Sequence, residues 1–347
     1  MTGRVKNKAI FFSGMGVLLV VVIMVSLAWG QVAVPLDATL SVIGQQLHLP
    51  GTEGIEVTQE HTSVIWHIRM PRTLVGLLVG AALAVSGAVM QGVFGNSLAD
   101  PGIIGVSSGA ALGAVIAIAL GVTANGIFYM PFFALTGALL AVGLTVALAM
   151  RNGKIPVMVL LLAGVAVSML LGAMTSGILT FINEYRLREF LFWIVGGLDY
   201  RRWEHVYLAA GPVIAGILIL FLLARHLNIL TLGEQEARSV GVPVAFLRMV
   251  LLTVSAVTTA TAVCVSGTIG FVGLIVPHIM RLLLGPEHRT LLPACAVAGG
   301  LFLVACDTAG RLLIPPSEVR VGIMTALLGA PYFLYLLRKA QKGGGLS

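Results

Sequence analysis

Charged side chains are scarce in this sequence. Only 10% of its 347 residues are Asp, Glu, Lys or Arg, whereas soluble domains average about 25%. Hydrophobic residues make up 58%, so a soluble fold would lack the polar groups needed to cover its surface. A membrane span needs about 20 apolar residues, and several runs reach that length. We therefore predict an all-α polytopic membrane protein, with residues 1–347 forming one transmembrane domain.

The sequence also lacks the groups that enzymatic chemistry needs. Acidic residues are rare inside the apolar runs, and no glycine-rich phosphate-binding loop ending in Lys and Ser or Thr occurs. Cys264, Cys295 and Cys306 lie singly within apolar runs, which is typical of small buried residues. We expect no catalytic residue, no metal site and no cofactor in this chain. If transport is driven by ATP, then ATP and Mg²⁺ must bind to a separate ATPase chain.

The apolar runs predict ten transmembrane helices. The first follows Arg4, Lys6 and Lys8 and resembles a signal peptide, but its length favours a retained span. Residues 249–284 are too long for one span, and periodicity leaves open two spans or one span plus a re-entrant segment. The predicted spans cover about 9–29, 73–93, 103–122, 128–150, 157–182, 206–224, two parts of 249–284, 291–313 and 321–337.

The distribution of basic residues predicts the orientation. With ten spans and both termini in the cytoplasm, cytoplasmic segments hold 13 Lys and Arg residues and outer segments hold 8. Every lysine then falls inside, as the positive-inside rule expects. The four Trp residues fall near the outer boundary, which is typical of an aromatic belt.

Two polar segments are too short to span a membrane. Apolar residues at helical spacing within 186–203 predict a helix on the outer surface. Within the cytoplasmic segment 226–248, Thr231 and Glu234 have the spacing of a capping box. Gly241 suits a left-handed residue after a helix, with Pro243 beyond it. The segment therefore predicts one short capped helix that offers a docking surface.

Several motifs, in order along the chain, resemble the FecCD-type permease family, the membrane subunits of type II ABC importers. They are Arg-Met-Pro-Arg-Thr-Leu at 69–74, Gly-Asn-Ser-Leu-Ala-Asp-Pro-Gly at 95–102, Gly-Val-Ser-Ser-Gly at 105–109, Leu-Gly-Glu at 232–234, Gly-Phe-Val-Gly-Leu-Ile-Val-Pro-His at 270–278 and Gly-Ala-Pro at 329–331. The family usually has Asn-Pro-Leu-Ala where this chain has Asn-Ser-Leu-Ala at 96–99. Pro101 still opens the next helix.

The resemblance implies ten spans per subunit in a homodimer, or a dimer with a close paralogue, around one central path. It implies two cytoplasmic ABC ATPase subunits and an extracytoplasmic substrate-binding protein, in a bacterial inner membrane. The fifth and last spans would line the path. The expected residues are Ser168, Gly172, Thr175, Thr325 and Gly329 for the path, and Leu232, Gly233, Glu234, Ala237, Arg238 and Gly241 for ATPase coupling.

Three arginines on the outer side are expected, from the same resemblance, to dock the binding protein. They are Arg69, Arg72 and Arg311, and a guanidinium forms paired hydrogen bonds to a carboxylate. Two alternatives stay open: anchoring to lipid headgroups, or local pairing such as Asp307 with Arg311 at i, i+4.

The expected cargo is a bulky metal chelate, with an iron–siderophore or haem ahead of cobalamin. His48, His61 and His67 could ligate haem iron, although solvated loop histidines are commoner. The competing function is an ion-coupled secondary transporter, which would need intramembrane acids and broken helices in two inverted repeats.

Overall fold

A computed structural model describes residues 7–32, 34–50, 57–150 and 155–343. Within these residues the chain forms fourteen α-helices and three short segments of other helix types. The α-helices are α1 (Lys8–Ala28), α2 (Leu36–Gln46), α3 (Gln59–Thr62), α4 (Met70–Phe94), α5 (Val106–Leu120), α6 (Tyr129–Ala149), α7 (Val157–Phe181), α8 (Glu184–Ile194), α9 (Trp203–Leu230), α10 (Glu234–Ser239), α11 (Val244–Ser266), α12 (Val272–Leu284), α13 (His288–Leu313) and α14 (Val321–Gly343).

The predicted spans correspond to ten of these helices. Seven are long and apolar enough to cross a membrane: α1, α3 with α4 as one continuous helix, α6, α7, α9, α11 and α13. A π-helical turn, Ser63–Arg69, joins α3 to α4. Helices α5 and α12, and residues 321–335 of α14, are apolar but shorter. The all-α polytopic architecture predicted from the sequence is confirmed.

Helix α4 is the centre of the bundle and packs against α9, α11, α12 and α13. Small residues allow two of these contacts to be close. A Cβ atom at Gly80 would lie 2.2 Å from the carbonyl oxygen of Gly299, and one at Gly87 would lie 2.0 Å from that of Gly273. Backbones can approach so closely in lipid only where no side chain intervenes.

The long apolar region 249–284 contains one full span and one short helix. Helix α12 has 13 residues, about 20 Å of helix, whereas the hydrocarbon core is about 30 Å thick. Its first turn lies against the C-terminal half of α4, because Gly273 meets Gly87 there. Of the two alternatives that periodicity left open, the chain path favours two crossings. Helix α11 runs from the α10 end to Ser266, which accepts from the Gly197 amide at the α8 end, and α12 ends close to His288, back at the α10 end.

Two predicted boundaries were wrong. The surface helix expected at 186–203 begins at Glu184 and ends at Ile194, and an irregular segment follows. The third span begins at Val106 rather than 103, because Pro101–Ile104 forms a 3₁₀ turn that ends at Gly105. Asp100 does cap that turn: its Oδ1 accepts a hydrogen bond from the Gly102 amide at 2.7 Å.

The helix termini gather at two ends of the bundle. The α8 end holds the C-termini of α1, α5 and α13; the Arg186 side chain, for example, donates to the carbonyl of Ala119 at 2.8 Å. The α10 end holds the opposite termini, where Asn228 of α9 accepts from the His288 amide of α13 at 2.8 Å. Helix termini thus alternate between the two ends along the chain, as the predicted topology requires, and the described polar segments that join the helices lie at the α8 end or the α10 end.

Candidate docking, coupling and translocation sites

Arg72 lies at the start of α4 and is the centre of a buried ion-pair cluster at the α8 end. Its Nε and Nη2 atoms donate to the two oxygens of Asp307 at 2.9 and 2.8 Å. Its Nη1 donates to Glu318 at 2.7 Å, and Nη2 also reaches Asp199 at 3.1 Å. The guanidinium therefore joins α4 to α13 and to the two loops that precede α9 and α14.

Arg69 and Arg311 are also buried, and both bind the C-terminus of α1. Arg69 donates to the carbonyls of Leu27 and Ala28 at 2.7 and 2.8 Å. Arg311 donates to Ser26 Oγ at 2.9 Å, and its Nε lies 3.3 Å from Asp307. Positive charge near exposed carbonyls at a helix C-terminus is electrostatically favourable, so these arginines fix α1 onto the bundle.

The structure thus buries Arg69, Arg72 and Arg311, whereas their predicted docking role calls for arginines that a partner protein can reach. Each of the three residues has at most 8% of its surface exposed and binds partners within the chain, although Arg311 Nε contacts Asp307 only as an ion pair and makes no hydrogen bond. The geometry favours the alternative of local pairing, including the Asp307–Arg311 pair. Docking by these residues stays a prediction.

Apart from Arg72, the arginines that line open space at this end are different ones. A cavity of about 690 Å³ is lined by Arg72, Arg201, Arg202 and Arg320 together with Asp199 and Glu318. Arg320 pairs with Asp199 at 3.4 Å and stacks on Phe192. Burial lowers the pKa of Arg201 to about 10. Sequence reasoning counted Arg201, Arg202 and Arg320 as outer arginines but gave them no function.

The three histidines considered for haem lie on separate elements. His48 follows α2, His61 lies in α3, and His67 lies in the π-helical turn and lines the 690 Å³ cavity. Across the described part of the chain, no group of three His, Cys, Asp or Glu side chains is placed to hold a metal ion. Cys264, Cys295 and Cys306 are buried and unpaired, as predicted.

At the α10 end, the predicted docking segment forms a six-residue helix, Glu234–Ser239. The capping-box prediction was wrong: Gly233 is the N-cap, and the Thr231 hydroxyl donates to the carbonyl of Asn228 instead. The left-handed prediction for Gly241 is confirmed, with φ of +79°. The segment turns tightly because a glycine lies at each end of the helix.

The side chains of this segment divide into an anchoring set and an exposed set. Ala237 is fully buried, and Glu234 lies 3.6 Å from the buried Arg248 of α11. Glu234 also pairs with Arg238 one turn later. Leu232 and Val240 are apolar yet 72% and 64% exposed, which marks a surface suited to contact with another protein.

The path residues predicted in α7 face different directions. Gly172 is exposed, and a Cβ there would meet nothing within 4 Å. Ser168 is half-buried, and Thr175 is buried, with its hydroxyl bonded to the carbonyl of Leu171. Most other α7 side chains are exposed in the single chain, because the main contacts of this helix with other described elements are those to α5, α6 and the 3₁₀ turn before α5.

In α14, Thr325 and Gly329 both face the protein interior. Thr325 is fully buried, and a Cβ at Gly329 would lie 2.4 Å from the ring of Phe271. Phe271 itself has a left-handed backbone, with φ of +69°, a costly conformation for a bulky residue. The exposed face of α14 carries Ile323, Leu327 and Leu328 instead.

Comparison with known proteins supports the resemblance over nearly the whole chain. A cobalamin import system permease of Halobacterium salinarum is 49% identical over 80% of this chain and 74% of its own length. A hemin transport system permease of Yersinia pestis is 42% identical over 81% and 86%. A vitamin B12 import permease of Citrobacter koseri is 40% identical over 80% and 84%.

A solved structure gives the same result for the fold. An inward-facing transporter described as of the metal-chelate type superposes with a TM-score of 0.81, at 33% identity, over 96% of this chain and all of that one. The model of the FecCD transport family matches residues 18–339. This chain therefore belongs to the FecCD transport family and is the permease subunit of an ABC importer.

Proposed function

We propose that this chain carries a metal tetrapyrrole, such as haem or a cobalamin, across a bacterial inner membrane. The names of the relatives support this class: two of the three above are cobalamin or vitamin B12 permeases and one is a hemin permease. They favour a tetrapyrrole over a siderophore, and their identities of 40–49% do not separate the two tetrapyrroles. The identities of 40–49% to these three permeases are the observation that carries the proposal.

The proposed assembly contains two copies of this chain, two ABC ATPase subunits and a substrate-binding protein. Helices α7 and α14 support the dimer, since both present apolar faces that no other described residue covers. The exposed apolar residues Leu232 and Val240 support ATPase docking at the α10 end. We place that end, and both termini, in the cytoplasm.

Binding-protein docking is proposed at the α8 end, opposite the ATPase. If Arg69, Arg72 and Arg311 take part, carboxylates of the binding protein have to replace Asp307 or the α1 carbonyls as their partners. Arg202 is exposed at the same end and can meet a carboxylate without such an exchange.

Uptake into sealed vesicles tests the function. Vesicles containing the permease, its ATPase and internal ATP should accumulate haemin or cyanocobalamin when the binding protein is outside. Accumulation should persist with an uncoupler and stop without internal ATP. Uptake that an uncoupler abolishes would support the ion-coupled alternative, and uptake of ferrichrome alone would move the cargo to the siderophores.

Cysteine accessibility tests the path with a matched pair on α7. Gly172→Cys should react quickly with a water-soluble maleimide in the assembled transporter, and bound cargo should slow that reaction. Thr175→Cys, one turn away and buried, should react slowly in every state. Equal rates at the two positions would contradict the assignment of the Gly172 face to the path.

A further inference from the structure

Arg201 lies in the irregular segment between α8 and α9 and has an incompletely satisfied guanidinium. Its Nε is shielded from solvent and has no hydrogen-bond partner. Its Nη2 reaches the Gly197 carbonyl only at 3.4 Å. Among the described residues no carboxylate lies within 4 Å of it, although Asp199 is two residues away and bound by Arg72 and Arg320.

The remaining neighbour of Arg201 is His205, which cannot accept its hydrogen bond. The Arg202 amide donates to His205 Nδ1 at 3.2 Å, so Nδ1 carries no proton. A neutral imidazole then carries its proton on Nε2, and this Nε2 lies 3.3 Å from Arg201 Nη1. Two donors therefore converge without an acceptor between them, and unmade hydrogen bonds of buried donors are costly.

These donors line a cavity of about 340 Å³, which is walled by Trp193 and Tyr200 and also contains Glu189. The cavity is at the small end for a complete ligand, so it suits a side group of a larger molecule. The segment that carries Arg201 also touches α14: the Gly322 amide donates to the Gly196 carbonyl at 3.2 Å. The cavity itself is lined by α8, by the segment that precedes α9 and by residues 123–131 around the start of α6.

We propose that Arg201 and His205 form an oxyanion site that receives a carboxylate or phosphate group of the cargo. An oxyanion accepts from both donors at once and removes their conflict. Haem carries two propionate carboxylates and cobalamin carries a phosphodiester, so both proposed cargos supply the group. The assignment to cargo rests on the proposed function, whereas the anion site itself does not.

Glu189 is the carboxylate that opposes this role. It lines the same cavity, and the described residues offer it no ion pair. Its negative charge weakens anion binding in the 340 Å³ cavity, and removing that charge should strengthen it. Arg188, the preceding residue, is exposed and pairs with Glu184, so it serves as an internal control.

Protection from an arginine reagent tests the site. The full chain in phosphatidylcholine nanodiscs is treated with p-hydroxyphenylglyoxal, and modification of each arginine is followed by mass spectrometry. Inorganic phosphate or citrate should slow modification of Arg201 about ten-fold relative to chloride of equal ionic strength, equivalent to ~1.4 kcal/mol. Arg188 should be unaffected. His205→Phe should remove most of the protection, and Glu189→Gln should increase it.

Three outcomes would overturn the proposal. Phosphate and citrate could protect no better than chloride. Arg201 could stay unmodified while Arg202 reacts, which would mean that the cavity is closed to soluble anions. Protection could also arise only in nanodiscs that contain phosphatidylglycerol, which would assign the site to lipid.

Uptake and ATPase measurements on the assembled transporter test the cargo site separately from the proposed function. Arg201→Gln should raise the KM for haemin uptake several-fold and leave the ATPase activity stimulated by cargo-free binding protein unchanged. Loss of that stimulation would assign Arg201 to protein docking and overturn the cargo role. Failure of the unmodified transporter to take up any tetrapyrrole would count against the proposed function, while the protection result would stand.

Discussion

The two ends of the bundle use charged residues in opposite ways. At the α8 end, Arg72 is buried, and its guanidinium is divided among Asp307, Glu318 and Asp199. At the α10 end, Glu234 and Arg238 are exposed and pair mainly with each other. The first set joins four parts of the chain, whereas the second lies on a six-residue helix held by little more than Ala237 and Arg248.

This difference separates structural charge from charge that is available to a partner. A buried ion pair costs several kcal/mol when one member is removed, because the other charge stays behind without compensation. An exposed pair contributes about 1 kcal/mol or less. We therefore expect substitutions in the buried Arg72 cluster to act on folding, and those in α10 to act on assembly with the ATPase.

Arg72→Met should give the largest loss of stability. It leaves the buried Asp307 with Arg311 as its remaining cationic partner, so we expect a loss of about 3–5 kcal/mol. Thermal unfolding of the detergent-purified chain measures it, and Arg188→Met, which breaks an exposed pair, is the control. The double variant Arg72→Met with Asp307→Leu should recover part of the loss. Equal unfolding midpoints for Arg72→Met and Arg188→Met would contradict the structural role of Arg72.

Gly241→Val should come next. The φ of +79° strains any β-branched residue, and we expect a cost of about 1–2 kcal/mol. No atom lies within 4 Å of the new Cβ, so the effect is confined to the backbone. The variant should insert in the membrane but lose ATPase co-purification and uptake, whereas Gly241→Asn should keep both because Asn tolerates this conformation. The idea fails if the valine variant retains normal, fully coupled ATPase.

Glu234→Gln should have a smaller effect on the chain. It weakens the contacts to Arg238 and to Arg248, and we expect a loss of under about 1 kcal/mol because Glu234 is exposed. Its main consequence should be reduced stimulation of ATP hydrolysis by the binding protein, measured against basal hydrolysis. A variant that is as unstable as Arg72→Met would break the distinction between the two ends.

Leu232→Ser together with Val240→Ser should barely change chain stability, by about 0.5 kcal/mol or less. Both side chains are largely exposed, so folding does not depend on them. The double variant should nevertheless bind the ATPase more weakly in a pull-down. Leu47→Ser, also exposed at 55% but at the α8 end, should bind it normally, and an identical loss for both would point to a general defect.

The features that the sequence determined are those set by short stretches of chain. Apolar runs and rare charges established the membrane class and ten helices, because each span must satisfy its own backbone hydrogen bonds. The left-handed conformation of Gly241 and the capping role of Asp100 could be predicted, because each depends on only a few neighbouring residues. The motifs at 69–74, 95–102 and 270–278 established the family.

The tertiary structure decided which charges meet. The partners of Arg72 lie 127 to 246 residues away, and no periodicity links them. The same holds for the depth at which α12 begins, which Gly87 and Gly273 set from separate helices. Arg201 and His205 are close in sequence, but their conflict depends on a ring orientation and on the absence of a nearby carboxylate among the described residues. Sequence places such groups at an end of the bundle, and packing alone determines whether each charge is satisfied there or left for a ligand.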